Sequence, residues 1–164
     1  MQDHYQITQA HTGGDMAIMA DLFQAYAASL EIDLAFQDFT AELLGLPGQY
    51  APPAGALLLA RDKDGRAVGC AGVRPMALEG CCEMKRLYVL PLGCGAGIGQ
   101  ALIAAIIGEA TRIGYREIRL DTLPSMSGAL ALYRRAGFEP ISAYYATPIP
   151  GTIFLHRRLV PGIA

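Results

Sequence analysis

Four glycines alternate through "LGCGAGIGQALI", Leu92 to Ile103, at positions 93, 95, 97 and 99, and the chain then turns apolar and helix-like. Glycine has no Cβ, so such a turn can bring backbone amides close to another molecule, at a cost in conformational entropy. Between a strand and a helix N-terminus, those amides and the positive end of the helix dipole make an anion site suited to phosphate or pyrophosphate. No Gly-Lys-Ser/Thr follows, so the loop is not a P-loop. Nor does it read G-x-G-x-x-G: counted from Gly93, Gly95 or Gly97, the last position is Ile98, Gln100 or Leu102. Asp121 lies about 20 residues on, where a dinucleotide-binding unit places its ribose ligand, but no βαβαβ repeat accompanies it. Metal chemistry finds less support. Cys70, Cys81, Cys82 and Cys94 form no C-x-x-C pair, and His4, His11 and His156 lack ligand spacing. Reduced thiols and no metal are expected.

The elements that must carry this loop can be read from the rest of the chain. Its 164 residues suffice for one domain with a sizeable core, so residues 1–164 are read as a single unit. Hydrophobic residues make up 52% and charged residues 17%, which excludes a disordered chain. The longest apolar runs fall short of a bilayer span of about 20 residues, and "MQDHYQITQAHTGGD" shows no secretory signal pattern, so no membrane partner and a cytoplasmic location are expected. Residues 1–60 hold seven acids and no Lys or Arg, while the remainder carries +5. No basic run with aromatic interleaving points to nucleic acid. "HYQITQA" reads as a strand, followed by a helix with Asp15 as N-cap and Ile18, Leu22, Phe23, Tyr26 and Leu30 at helical spacing. A short helix over "FTAELLGL", a hairpin turning at "DKDGR", and a strand "GCCEMKRLYVLP" come next. The glycine loop leads into a helix from Ala96 to Arg112, then a strand at "REIRLDTL". A helix "SMSGALALYRRAGF" follows, capped by Ser125 or Ser127 and stopped by Gly137, and two closing strands end the chain. The predicted order is β-α-α-β-β-β-α-β-α-β-β, with one parallel βαβ unit across residues 81–121.

Residues 81–141, "CEMKRLYVLPLGCGAGIGQALI…" to "ALYRRAGFEPI", resemble the core of the GCN5-related N-acetyltransferase (GNAT) superfamily. Two motifs carry the likeness. One is a strand, a Pro and an Arg/Gln-x-x-Gly-x-Gly/Ala loop, matched by Cys94–Gly99; the other is the helix end "ALYRRAGF". The resemblance implies an α/β GNAT fold: a single mixed, mostly antiparallel and partly parallel twisted sheet flanked by helices, with CoA at splayed central strands. It implies an acetyltransferase using acetyl-CoA as cosubstrate, with no metal. Carried over by position, Cys94, Gly95, Ala96, Gly97, Ile98, Gly99 and Gln100 cradle the pyrophosphate, and Leu87, Tyr88 and Val89 pair with pantetheine like an added strand. Cys94 stands where the family has Arg or Gln, which leaves binding to amides and the dipole; Lys85, Arg86, Arg134 and Arg135 are the cations that could add ionic attraction.

Acyl transfer to an amine needs a proton acceptor, a donor for the thioester oxygen and an acid for the leaving thiolate. The resemblance places a general base at Glu83, and strand alternation puts Glu83, Lys85, Leu87 and Val89 on one face. It places the acid at Tyr133, whose phenol has an ordinary pKa of about 10. Met126 replaces the family's Asn seven residues before that Tyr, so Ser125 or Ser127 is expected to supply the hydrogen bond. The acceptor, a small-molecule or peptide amine, is expected between residues 26–50 and 142–152. Glu31, Asp33, Asp38 and Glu42 in the first of these favour a cationic amine. The family also makes a homodimer possible. The leading expectation is N-acetyl transfer by direct attack in a ternary complex; the alternative is a catalytically silent acyl-CoA-binding or sensor module.

Overall fold

A computed structural model of the chain describes residues 5–30, 33–93 and 95–160. Cys94 and Glu31, both named above, lie outside the described residues. The elements are β1 (Tyr5–Gln9), α1 (Gly13–Leu30), α2 (Phe39–Leu44), β2 (Ala56–Asp62), β3 (Ala67–Pro75), β4 (Cys81–Val89), α3 (Ile98–Ile113), β5 (Glu117–Thr122), α4 (Ser127–Arg135), β6 (Glu139–Ile141) and β7 (Ile153–Arg158). Their order is the one the sequence predicts. They form one seven-stranded sheet, β1-β2-β3-β4-β5-β7-β6, in which β4–β5 is the parallel pair and the other neighbours run antiparallel. A parallel pair needs a crossover, and α3 supplies it.

Strand alternation divides the core between the two faces. On one face Leu58, Val73, Met84, Ile118, Leu120 and Leu155 pack with Leu102, Ile103 and Ile106 of α3 and with Tyr133 of α4. On the other, Leu57, Leu59 and Cys70 pack with Met19, Leu22 and Phe23 of α1 and with Tyr50. Two helix caps differ from expectation. Thr12 caps α1: its hydroxyl accepts from the Asp15 N–H at 3.0 Å, and the Asp15 carboxylate accepts from the His11 and Thr12 N–H groups at 3.1 and 3.3 Å. Asp15 is therefore the reciprocal partner in a capping box and not the N-cap. At α4 the N-cap is Met126, and no side chain caps the helix, so neither Ser125 nor Ser127 fills that role.

The decisive irregularity lies in β4. Cys70 faces Tyr88 and Gly72 faces Lys85, so one residue of β3 spans two of β4. The extra residue is a β-bulge, with Arg86 in the left-handed region at φ 62°. A one-residue insertion exchanges the faces of everything beyond it. Glu83 and Lys85 thus share a face, but Leu87 and Val89 cross to the α3 side and pack against the core that holds Cys82 and Met84. The expectation that all four residues share one face fails at this bulge. The β4–β5 pairing is also short: it covers Cys81–Glu83 against Glu117–Arg119. Beyond Glu83 the two strands diverge, and the second half of β4 borders an open cleft.

Candidate active site

The four glycines of the loop have two different causes. A Cβ on Gly93 would lie 3.2 Å from Ile98 and Val89 side-chain carbons, and one on Gly99 would lie 3.1 Å from Leu132, so these two permit close packing. Gly95 and Gly97 have φ of 87° and 78°, backbone that L side chains rarely adopt. Gly97 is the N-cap of α3 and offers no side-chain acceptor. The first-turn amides of α3, at Ile98, Gly99 and Gln100, therefore lack a capping oxygen from that residue. Gly95, Ala96, Gly97 and Gln100 are exposed. The arrangement fits an anionic group taken up by backbone donors.

A cleft runs along the open side of β4. Its walls enclose about 610 Å³, open mouth included, and comprise Met84–Leu87 of β4, Asp121 and Thr122 of β5, Leu123 just beyond it, Met126 and Tyr133. Tyr26 and Leu30 of α1, Gln37, and Tyr145, Thr147 and Thr152 of the β6–β7 loop complete it. Both segments expected to hold the acceptor are thus present. Tyr133 is 6% exposed and packs edge-on to Phe138. Burial pushes its phenol far above the usual value, and Tyr26 and Asp121 add to the shift, so the hydroxyl keeps its proton at every physiological pH.

Three ion pairs, each joining a buried to a half-buried side chain, stand on or beside this wall. The Arg86 guanidinium is bidentate on Glu42 at 2.9 and 3.1 Å, and lies over the Phe39 and Tyr26 rings. Burial raises the Glu42 pKa, but the Arg86 bonds and charge and the Tyr50 hydroxyl outweigh it and hold the carboxyl below its ordinary value. The Arg74 guanidinium donates twice to one Glu83 oxygen, at 3.0 and 3.1 Å, and the Tyr144 hydroxyl donates to the other at 2.7 Å. Lys85 Nζ lies 3.6 Å from Asp121 and donates to Gln37 at 3.1 Å. Asp121 also accepts from the Tyr145 hydroxyl. Burial lowers the Lys85 pKa, opposed by Asp121 and Glu83.

Several expectations change on this geometry. Lys85 and Arg86 are 6% and 4% exposed and paired with carboxylates, so they are not available to a phosphate. Glu42 is bound to Arg86 and Tyr50, so it offers no free charge to an acceptor, whereas Asp33, whose side chain accepts from the Ala35 N–H, is exposed. Glu83 borders a neighbouring hollow with Arg74, Met76 and Tyr144, while Tyr133 lines the main cleft; the two are not brought together. Ser125, just before α4, and Ser127, its first residue, are exposed, and Met126 lines the cleft between them. Asp121, set aside in the sequence with the dinucleotide reading, lies in the cleft with Tyr133. Its signal was the parallel register: Glu83 faces Arg119, so two residues further along each strand Lys85 and Asp121 emerge on the same face. Among the described residues no cluster of His, Cys, Asp or Glu could hold a metal, and no helix is long and apolar enough to cross a membrane.

A mixed sheet parted beside a glycine-lined helix N-terminus, with a buried tyrosine facing the gap, is the architecture of an acyl-CoA-dependent transferase. The acetyltransferase (GNAT) family model matches residues 18–138, and the chain belongs to that family as an acetyl-CoA-dependent N-acetyltransferase. It is 41% identical over 138 residues to an uncharacterized N-acetyltransferase of Schizosaccharomyces pombe, covering 84% of this chain and 85% of that one. A solved structure from Klebsiella pneumoniae, described as an acyl-CoA N-acyltransferase, superposes with a TM-score of 0.72 at 32% identity, over 97% of this chain and 100% of the other. The phosphinothricin acetyltransferase of Sinorhizobium meliloti, solved in complex with AcCoA, shares the fold, with a TM-score of 0.71 at 20% identity over 95% and 89% of the two chains.

Proposed function

We propose that this enzyme transfers acetyl from acetyl-CoA to a primary amine by direct attack in a ternary complex. The observation that carries the reading is the placement of Tyr133, buried in a cleft walled by Lys85, Arg86, Asp121 and Tyr145. The amides from Gly95 to Gln100 would hold the pyrophosphate, and the β4 edge at Leu87, Tyr88 and Val89, free of β5 there, would pair with pantetheine. Ser125 or Ser127 adds a hydrogen bond. When bound, the cosubstrate supplies an acetyl carbon activated as a thioester. Tyr133, held protonated by burial, donates to the sulfur as negative charge develops on it. Two carboxylates are candidates to accept the amine's proton: Glu83, the position the family resemblance favours, and Asp121, which lines the cleft. An amine arriving as an ammonium would meet Asp121 on that wall.

Steady-state kinetics with acetyl-CoA and a panel of primary amines (tyramine, spermidine, kanamycin and a glycine-initiated peptide) tests the reading. CoA release matched by acetylated amine, with intersecting double-reciprocal lines, is expected. Parallel lines would indicate an acyl-enzyme and sink direct attack. Tight acetyl-CoA binding without release for any amine would instead identify a silent acyl-CoA-binding module.

A further inference from the structure

We propose that Asp121, and not Glu83, takes the proton from the attacking amine. The inference rests on the transfer reading above and assigns a further catalytic residue to it. The two carboxylates sit on neighbouring parallel strands but on different sides of the point where these part. Glu83 lies in the paired half, opposite Arg119, and both of its oxygens are bound outside the cleft, one by the Arg74 fork and one by Tyr144. An arginine does not give up its proton in proteins, so that Glu83 oxygen stays occupied. Asp121 lies two residues into the parted half, within the cleft.

Its partners can make way. Lys85 is 3.6 Å from Asp121 Oδ1, a loose ion pair, and its Nζ has an alternative acceptor in Gln37 at 3.1 Å. An incoming amine can therefore engage Asp121 while Lys85 Nζ keeps its bond to Gln37. The electrostatic neighbourhood agrees. The Asp121 charge acts on the phenols of Tyr26, Tyr133, Tyr144 and Tyr145, while that of Glu83 acts on Tyr144 and Tyr145. The groups facing Asp121 are Lys85 and Arg86 from β4, Tyr26 from α1, Tyr133 from α4, and Tyr144 and Tyr145 from the β6–β7 loop. An amine that arrives as an ammonium first loses one proton to solvent; in the turnover that follows, a second N–H bond breaks and the N–C bond forms as the C–S bond breaks. Asp121 receives the nitrogen's proton, the sulfur keeps the C–S electron pair and takes a proton from Tyr133, and the proton on Asp121 or solvent restores the phenol.

The test compares Asp121→Asn, Asp121→Glu and Glu83→Gln with the unaltered enzyme, using acetyl-CoA and whichever amine of the panel it turns over. Asp121→Asn keeps the shape and an acceptor for Tyr145. It should lower kcat at least a hundredfold, the lower range for a general base, leave acetyl-CoA affinity by calorimetry within threefold, and flatten the acidic limb of the kcat–pH profile. Asp121→Glu should recover part of kcat and shift that limb. Glu83→Gln should lose less than tenfold and retain it. The proposal is overturned if Asp121→Asn keeps kcat within threefold, or if Glu83→Gln erases the limb. Should Asp121→Asn fail to fold, seen as lost acetyl-CoA binding, the limb in Glu83→Gln decides alone. An unaltered enzyme that turns over no amine overturns the transfer reading itself, a different result from either.

Discussion

The two ends of the candidate site, the loop before α3 and the cleft between β4 and β5, meet charge in opposite ways. At the α3 end, residues 95–100 contain no ionisable side chain, and the polar groups on offer are the neutral Gln100 side chain and backbone amides presented by two left-handed glycines. At the β4–β5 end, three carboxylates each meet a cation: Glu42 with Arg86, Glu83 with Arg74, and Asp121 with Lys85. A backbone cradle orders no long side chain when it binds, and it depends on φ more than on residue identity. Buried pairs hold one geometry, and removing one partner leaves an uncompensated charge. The two ends should therefore fail differently when altered.

The largest effect is expected at the charged end. Glu42→Ala leaves Arg86 buried without its carboxylate and should cost about 3–5 kcal/mol in denaturant unfolding; a loss under 1 kcal/mol would show that the pair adds nothing to stability. The same pair gives a pH signature. The folded Glu42 carboxyl sits below its ordinary 4.5, so its contribution is fully present above that value and is lost as pH falls through the lower, folded value. Glu42→Gln should reduce the acid-side slope of stability against pH, and an unchanged slope would contradict this.

Where the ends meet, Tyr133→Phe removes one hydroxyl and keeps the ring against Phe138. Turnover should fall roughly a hundredfold while calorimetry finds acetyl-CoA affinity unaltered. Full activity would make Tyr133 a packing residue. At the backbone end, Gly97→Val asks a β-branched residue to adopt φ 78° with no steric obstacle beyond its own backbone. Strain of about 1–3 kcal/mol would be relieved by turning the α3 amides, so acetyl-CoA should bind roughly ten to a hundredfold more weakly, with kcat at saturation nearly unchanged. An unaltered Kd would exclude these amides from the cradle.

The same contrast explains what the sequence made legible. Glycine spacing, Pro91 and the Gly-Phe that closes α4 are local, and they marked the loop, the element order and the parallel unit. The bulge was not local. Arg86 takes φ 62° while Glu42, 44 positions away, grips its guanidinium and Cys70 donates its thiol to the Arg86 carbonyl at 3.3 Å. Alternation read along "CCEMKRLYVL" has no means of registering that extra residue, so Leu87 and Val89 were assigned to the wrong face. The charge division misled for a related reason. Asp15 pairs with Arg61, and Glu42 with Arg86, so part of the acidic first third neutralises the basic remainder within the molecule. Asp121 became visible as a site residue only once Glu83 and Arg119 were known to be in register.

The smallest effect tests the junction between the two ends, at Ser127. Its hydroxyl makes no capping bond to α4 and is exposed, so Ser127→Ala should change unfolding free energy by less than about 0.5 kcal/mol. If the hydroxyl bonds the cosubstrate instead, losing one hydrogen bond of about 0.5–1.5 kcal/mol should weaken acetyl-CoA binding by roughly two- to tenfold, and Ser125→Ala should leave it unchanged. The reverse result would assign the bond to Ser125. Neither variant weakening acetyl-CoA would leave Met126, between them on the cleft wall, in apolar contact there. The cosubstrate would then be held by main-chain groups along its length apart from Tyr133, and the contrast between a backbone end and a side-chain end would extend down the whole of that wall.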